Sequence, residues 1–180
     1  MKIFVIVGMP AAGKNIARTY AESKGLIYYA TGDIVRAEVK KRGATDPVST
    51  AKISDELRGP DGMGVTRLAL EEVLKSGAAV GFLEGMRSWP EIELIRKQAD
   101  CVVVAFLAPR KLRLERICAR GRADDAPHAF DERDQREIAY GTAIPIALAD
   151  EYILNTKTMD DAINKLDVIV TKKTQNAERP

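Results

Sequence analysis

The sequence predicts a three-layer α/β/α sandwich built on a five-stranded parallel sheet. Three observations point there. Apolar β-rich runs alternate with helix-like stretches along the chain. The first run, Lys2–Val7 (KIFVIV), is almost continuously apolar, as a central strand covered on both faces must be. A chain of 180 residues buries roughly 70% of its unfolded surface, enough for one core without disulfides or metal.

After the first strand, residues 14–23 have helical composition, with Ile16, Ala17 and Tyr20 on one face and Gly25 as the stop. Residues 26–30 form a second strand and 34–41 a short charged helix. From Gly43 to Gly64 the chain turns polar and is broken by Pro47 and Pro60, with a helix expected at 50–58: a small excursion between sheet strands. A helix at 65–75 follows, its Leu68, Leu70, Val73 and Leu74 covering a broad face. Residues 78–83 and 101–107 are the third and fourth strands, with a helix at 91–98 between them. Pro109 starts the next helix, basic and running to about residue 119, and Gly121 stops it. Residues 131–142 read as helix until Pro145 ends or kinks it, 152–154 as the fifth strand, 159–171 as the closing helix, and 172–180 as a polar, frayed tail.

The balance of 28 Lys plus Arg against 26 Asp plus Glu gives a net charge of +2, too small to draw the protein onto nucleic acid or an anionic membrane as a whole. No run of about 18 apolar residues is present, and the apolar start is too short for a signal-peptide core, so the chain reads as cytoplasmic, without membrane or specific nucleic-acid partners. Cys101 and Cys118 form no CxxC and share the chain with one His, so neither zinc nor a disulfide framework is expected. Both are read as reduced core thiols.

The sharpest motif is GMPAAGK, Gly8 to Lys14. Its GxxxxGK spacing, directly between a strand and a helix, is that of a phosphate-binding loop. In such a loop, backbone N–H groups surround an anion, the helix N-terminus adds its dipole, Gly13 lets the backbone approach closely and Lys14 reaches the outer phosphates. Gly8, Met9, Pro10, Ala11, Ala12, Gly13, Lys14 and Asn15 are therefore the expected ATP contacts, which makes the fold a P-loop NTPase. Asn15 stands where a Ser or Thr hydroxyl usually ligates Mg²⁺; its amide oxygen still suits this hard cation. Ala11 and Ala12 make the loop less glycine-rich than many.

ATGDIVR, Ala30 to Arg36, resembles the "TGD-x-x-R" element of adenylate kinases, and with it the chain is similar to the nucleoside monophosphate kinases. The resemblance implies that Thr31, Gly32 and Arg36 hold the acceptor nucleotide and that Asp33 lies near Mg²⁺ through water; locally the same residues also suit an ordinary capped helix. GFLEGMRS, Gly81 to Ser88, resembles that family's strand ending in an acid, a Gly and an Arg. It implies Glu84 beside the metal, Gly85 at the acceptor and Arg87 as acceptor clamp, with Glu for the usual Asp and one residue where two usually precede the Arg. ERICARGRADDAPHAFDER, Glu115 to Arg133, is similar to the short-lid kinases. Arg116 and Arg120 share a helical face toward ATP, and Arg122 and Arg133 surround the moving phosphoryl with Lys14. A solvated basic helix is the alternative for any one of them, Arg136 is a reserve candidate, and His128 is expected to be exposed.

The shortened turn, the GMPxxGK form and ADEYILNT, Ala149 to Thr156, look most like a mainly archaeal group of adenylate-kinase-related proteins; dephospho-coenzyme A kinases are similar in plan. The resemblance divides the chain into a core (1–30, 78–120 and 143–171), an acceptor-binding helical region (31–77) and a short lid (121–133). It implies a monomer or small homo-oligomer that moves the γ-phosphoryl of Mg-ATP to a nucleotide, AMP by overall similarity. A dephospho-coenzyme A kinase, with Asp33 as base, and a nucleotide-binding ATPase of weak transfer activity are the alternatives.

Overall fold

A computed structural model describes residues 1–120 and 127–175, apart from the side chains of Pro47, Arg120, Pro127 and His128. The strands are β1 (Lys2–Val7), β2 (Ile27–Ala30), β3 (Val80–Glu84), β4 (Asp100–Leu107) and β5 (Glu151–Leu154). All pair in parallel in the order β2-β3-β1-β4-β5. The helices are α1 (Asn15–Ser23), α2 (Thr31–Lys41), α3 (Pro47–Arg58), α4 (Gly64–Lys75), α5 (Trp89–Arg96), α6 (Arg110–Arg120), α7 (Pro127–Ala139), α8 (Ala143–Ala147) and α9 (Met159–Gln175).

Alternation along β1 divides the core. Phe4 and Ile6 point to one face, with Ala17 and Tyr20 of α1 and Leu166 of α9, while Ile3, Val5 and Val7 point to the other, with Leu70 of α4 and Ile92 of α5. Both faces are covered, which is why the strand carries no polar alternation. β1 lies between β3 and β4, so the chain crosses from one side of it to the other. Crevices beyond the carboxyl ends of strands at such a reversal are where open parallel sheets bind ligands.

Several boundaries differ from the sequence reading. α2 begins at Thr31, so Thr31, Gly32 and Asp33 are its first turn, preceded by an extended Ala30. Asp46, whose carboxylate accepts from Ser49 N at 2.9 Å, caps α3 and moves its start to Pro47. Leu68 of α4 is exposed, and the buried stripe is Val65, Thr66, Ala69, Leu70 and Val73. Pro145 neither ends nor kinks α7; it lies inside the separate α8, where an early helical position needs no N–H donor. α9 runs on to Gln175, anchored by buried Leu166 and Val170, so residues 172–175 are not frayed. Cys118 is exposed and no core residue, whereas Cys101 is half-buried and its burial pushes the thiol up to about 11. No described helix is long and apolar enough to cross a membrane.

Candidate functional site

A cleft of about 920 Å³ opens over the carboxyl ends of β1 and β3. Its floor is the loop between β1 and α1, and the way that loop is braced orients its donors. Arg113 Nη1 donates to Pro10 O at 3.1 Å, Arg116 Nη1 to Ala11 O at 3.2 Å, and Asn155 Nδ2 to Ala12 O at 2.9 Å. A trans peptide points its N–H opposite its C=O. Holding the carbonyls of Pro10 and Ala12 from Arg113 and Asn155, which do not line the cleft, therefore turns the N–H groups of Ala11 and Gly13 the other way. Gly13 has φ 105° and a Cβ there would lie 2.0 Å from Asn155 Nδ2, so only glycine permits the brace. Ala11 sits in the left-handed region at φ 60°, the one non-glycine among the described residues to do so.

Lys14 closes the loop, its Nζ 2.8 Å from Gly8 O and 3.3 Å from Met9 O. Burial pushes the ammonium below its ordinary value, against the opposing pull of Glu84 and Glu137. Asn15, first residue of α1, lines the cleft and is exposed.

Opposite the loop, Asp33 accepts from both Arg18 and Arg36. Burial alone would raise its carboxyl, but these two guanidiniums bring it below the ordinary value. Arg18 also stacks over Tyr28 at 4.7 Å, and the Tyr28 hydroxyl donates to Glu84 at 2.5 Å; burial and Glu84 push that phenol upward. Gly85 has φ 102°, and a Cβ on it would lie 2.0 Å from Thr31 Oγ1, so the β3 turn and the start of α2 pack in direct contact. Arg87 follows. Buried Glu91 accepts from Arg87 N and Ser88 N, both at 2.8 Å, and from Thr66, so one carboxylate fixes this turn and caps α5.

Of the residues expected from sequence, Gly8, Pro10, Ala11, Gly13, Lys14, Asn15, Thr31, Gly32, Asp33, Arg36, Glu84, Gly85, Arg87, Arg116 and Arg133 line this one cleft. Met9 and Ala12 do not; they contribute carbonyls to the loop, and Ala12 is buried beneath it. Arg136 is exposed and outside the cleft. Arg122, the Arg120 side chain and the His128 side chain lie outside the described residues, as do 121–126 of the expected lid, while 127–133 open α7.

Sequence reasoning missed four groups. Arg113 and Asp134 form a buried bidentate pair at 2.7 and 2.6 Å. Asn155, in the ADEYILNT segment, is buried under the loop. Arg18 pairs with Asp33 and lines the cleft. Glu137 of α7 enters the cleft, its Oε2 3.3 Å from Arg87 Nε and accepting from Thr142 Oγ1 at 3.3 Å. Only Asn155 had a signal, as the polar residue that follows the last strand.

Mg²⁺ binds oxygen ligands and keeps much of its water shell. Among the described residues no cluster of three or more His, Cys, Asp or Glu converges as a protein cage. Asn15, Asp33 and Glu84 nevertheless offer oxygens around the same cleft. Such a sparse set fits a cation held through water and substrate phosphates, though Asp33 already serves two arginines.

No family model matches the chain. A UPF0200 protein from Methanocaldococcus jannaschii is 37% identical over 186 residues, spanning 99% of this chain and 94% of that protein. A UPF0200 protein from Thermococcus kodakarensis is 35% identical over 94% of this chain and 99% of its own length. Among solved structures, TT1252 from Thermus thermophilus superposes with a TM-score of 0.69 at 18% identity, covering 94% of this chain and 96% of that one. Shikimate kinase from Acinetobacter baumannii, in complex with shikimate, gives 0.58 at 19% identity over 96% and 94%. The architecture is thus the three-layer α/β fold that these two structures share.

Proposed function

The chain belongs to the UPF0200 protein family, and we propose that it is an ATP-dependent phosphotransferase that moves the γ-phosphoryl of ATP to a nucleoside monophosphate, with AMP the first acceptor to test. One observation carries the reading: the braced loop with Lys14, and the separate cations Arg36, Arg87 and Arg133, line a single cleft large enough for two nucleotide phosphate chains. Phosphoryl transfer asks the protein mainly to bring two polyanions into line and to stabilise the charge between them. The N–H groups of Ala11 and Gly13 and the Lys14 ammonium receive the donor phosphates, Arg36 and Arg87 neutralise the acceptor phosphate, and Arg133 lies with the transferring group. Arg116, at the wall of the cleft, holds Ala11 O and Asn155 O. Mg²⁺, when bound, would neutralise phosphate charge, with Asn15, Asp33 and Glu84 as its oxygen partners. Arg122 belongs to the same proposed machinery from the lid.

The state of Asp33 favours a phosphate acceptor over the hydroxyl of dephospho-coenzyme A. A carboxylate engaged by two guanidiniums and held below its ordinary value is a poor proton acceptor. A weakly transferring nucleotide-binding ATPase is the second reading, favoured by Asn15 and by the left-handed Ala11. A coupled assay with Mg-ATP against AMP, CMP, UMP, GMP, dAMP and dephospho-coenzyme A decides. Transfer to a monophosphate, lowered on the order of 10²–10³-fold by Lys14→Ala, is the expected result. Tight ATP binding by calorimetry without transfer to any of them selects the second reading.

A further inference from the structure

Arg87 is surrounded by the turn between α7 and α8, a segment to which no role has been assigned. Glu137 approaches its Nε, and the Tyr140 ring lies under its guanidinium, Arg87 Cζ 4.9 Å from the ring centroid. The next residue packs on its backbone: a Cβ on Gly141 would stand 3.4 Å from the Arg87 carbonyl. The same ring holds a second cation, for Arg58 Cζ, at the end of α3, is 5.4 Å from the centroid. Two guanidiniums from segments far apart in sequence are thus gathered on one aromatic side chain. They repel each other, and the negative face of an aromatic ring is the surface that offsets such repulsion without neutralising the charge. Glu137 already offsets part of the Arg87 charge, and a second carboxylate in the place of the ring would cancel what an incoming phosphate needs.

Tyr140 itself is 46% exposed and outside the cleft lining, so packing of the core does not explain it. Its position on the chain does. It follows the helix whose Asp134 grips Arg113, the residue that braces Pro10 of the phosphate loop. The middle of α7 is therefore tied to the donor loop, and the turn after its C-terminal end to the acceptor side.

We propose that Tyr140 is a positioning residue for the acceptor phosphate: its ring holds Arg87 in the orientation that receives the phosphate and, through Arg58, ties the acceptor-binding helices to the same point. The inference rests on the functional reading above and deepens it, since it assigns how the acceptor clamp is held. The ring is the working part, so Tyr140→Phe retains function and Tyr140→Ala does not.

The test is calorimetric titration of wild type, Tyr140→Ala, Tyr140→Phe and Arg58→Ala with AMP and, separately, with ATP. Turnover kinetics on the same set resolve KM for each substrate from kcat. Tyr140→Ala is expected to weaken AMP binding about tenfold, as two cation–π contacts of intermediate exposure imply, with ATP binding within about twofold of wild type. Arg58→Ala weakens AMP binding less, and adding it to Tyr140→Ala costs little more, because both changes break one assembly. Equal AMP affinity in wild type and Tyr140→Ala would overturn the inference while leaving the functional reading intact. So would a Tyr140→Phe defect as large as that of Tyr140→Ala, or an equal loss for ATP and AMP. Wild type that binds ATP and none of the monophosphates would overturn the functional reading and this inference with it.

Discussion

The two sides of the cleft are built to different standards. On the phosphate-loop side, the consecutive carbonyls from Gly8 to Ala12 all accept from side chains: Lys14 on Gly8 and Met9, then Arg113, Arg116 and Asn155. Arg113 and Asn155 are buried. On the acceptor side, α2 buries no residue, and among the described side chains of α3 only Ile53 is buried. There Asp33, Arg18 and Arg36 hold one another across a partly exposed surface. A loop that must present N–H groups to a phosphate needs its peptides fixed before the ligand arrives, whereas a surface that closes on a second ligand must yield. The difference reads as a rigid donor half facing an adaptable acceptor half.

The largest effect should come from breaking the rigid half at its buried pair. Asp134→Ala leaves the Arg113 guanidinium buried without its carboxylate and loosens its grip on Pro10. A loss of about 3–5 kcal/mol in urea unfolding is expected, together with a marked fall in ATP affinity. Asp134→Asn keeps the shape and one accepting oxygen but turns an NH2 donor toward the other guanidinium nitrogen, so it should fold and give the smaller loss. If Asp134→Ala instead lost less than about 1 kcal/mol, the contrast between the halves would collapse, since the donor side would tolerate change as the surface does.

A smaller effect, and one of the opposite kind, is expected on the adaptable half. Arg36 has a side chain 70% exposed and pairs only with Asp33 among the described residues. Arg36→Ala should leave stability within about 0.5 kcal/mol of wild type. The acceptor KM should rise on the order of tenfold, the worth of one hydrogen bond to a charged group, with donor KM unchanged. Thermal unfolding and two-substrate kinetics read the two quantities separately. A stability loss as large as that of Asp134→Ala would show that the acceptor helices are braced after all.

What could be read from the sequence follows the same division. The strands were legible because β1 and β4 are buried on both faces and carry unbroken apolar runs, and the phosphate loop was legible because its spacing is set locally, within seven residues. The start of α2 was not, because Ala30 offers no capping side chain and the turn Thr31-Gly32-Asp33 has the composition of a loop. The atoms that the braces meet were illegible for a different reason. Arg113 reaches Pro10 across 103 residues and Asn155 reaches Ala12 across 143, and their targets are backbone carbonyls, which look alike at every position of a sequence. Arg116, which helical spacing puts on one face with Arg120, lines the cleft, and its hydrogen bonds go to the carbonyls of Ala11 and Asn155. Periodicity gives the face of a helix and not the atom that its side chain meets.

The smallest expected effect tests whether the rigid half is rigid at a cost. Ala11 holds φ 60°, a conformation that disfavours an L-residue by roughly 1–2 kcal/mol, in a loop otherwise held from several sides. Glycine would remove that strain but would gain more freedom in the unfolded chain, about 0.4–1 kcal/mol in the other direction. Ala11→Gly should therefore stabilise by no more than about 1.6 kcal/mol in urea unfolding. The informative quantity is ATP affinity measured beside it. If the braces alone fix the loop, affinity stays within about twofold, because Arg113, Arg116 and Asn155 still hold the neighbouring carbonyls. If affinity falls while stability rises, the alanine methyl itself narrows the loop, and the preorganisation of the donor half depends on the strained residue as well as on the side chains behind it.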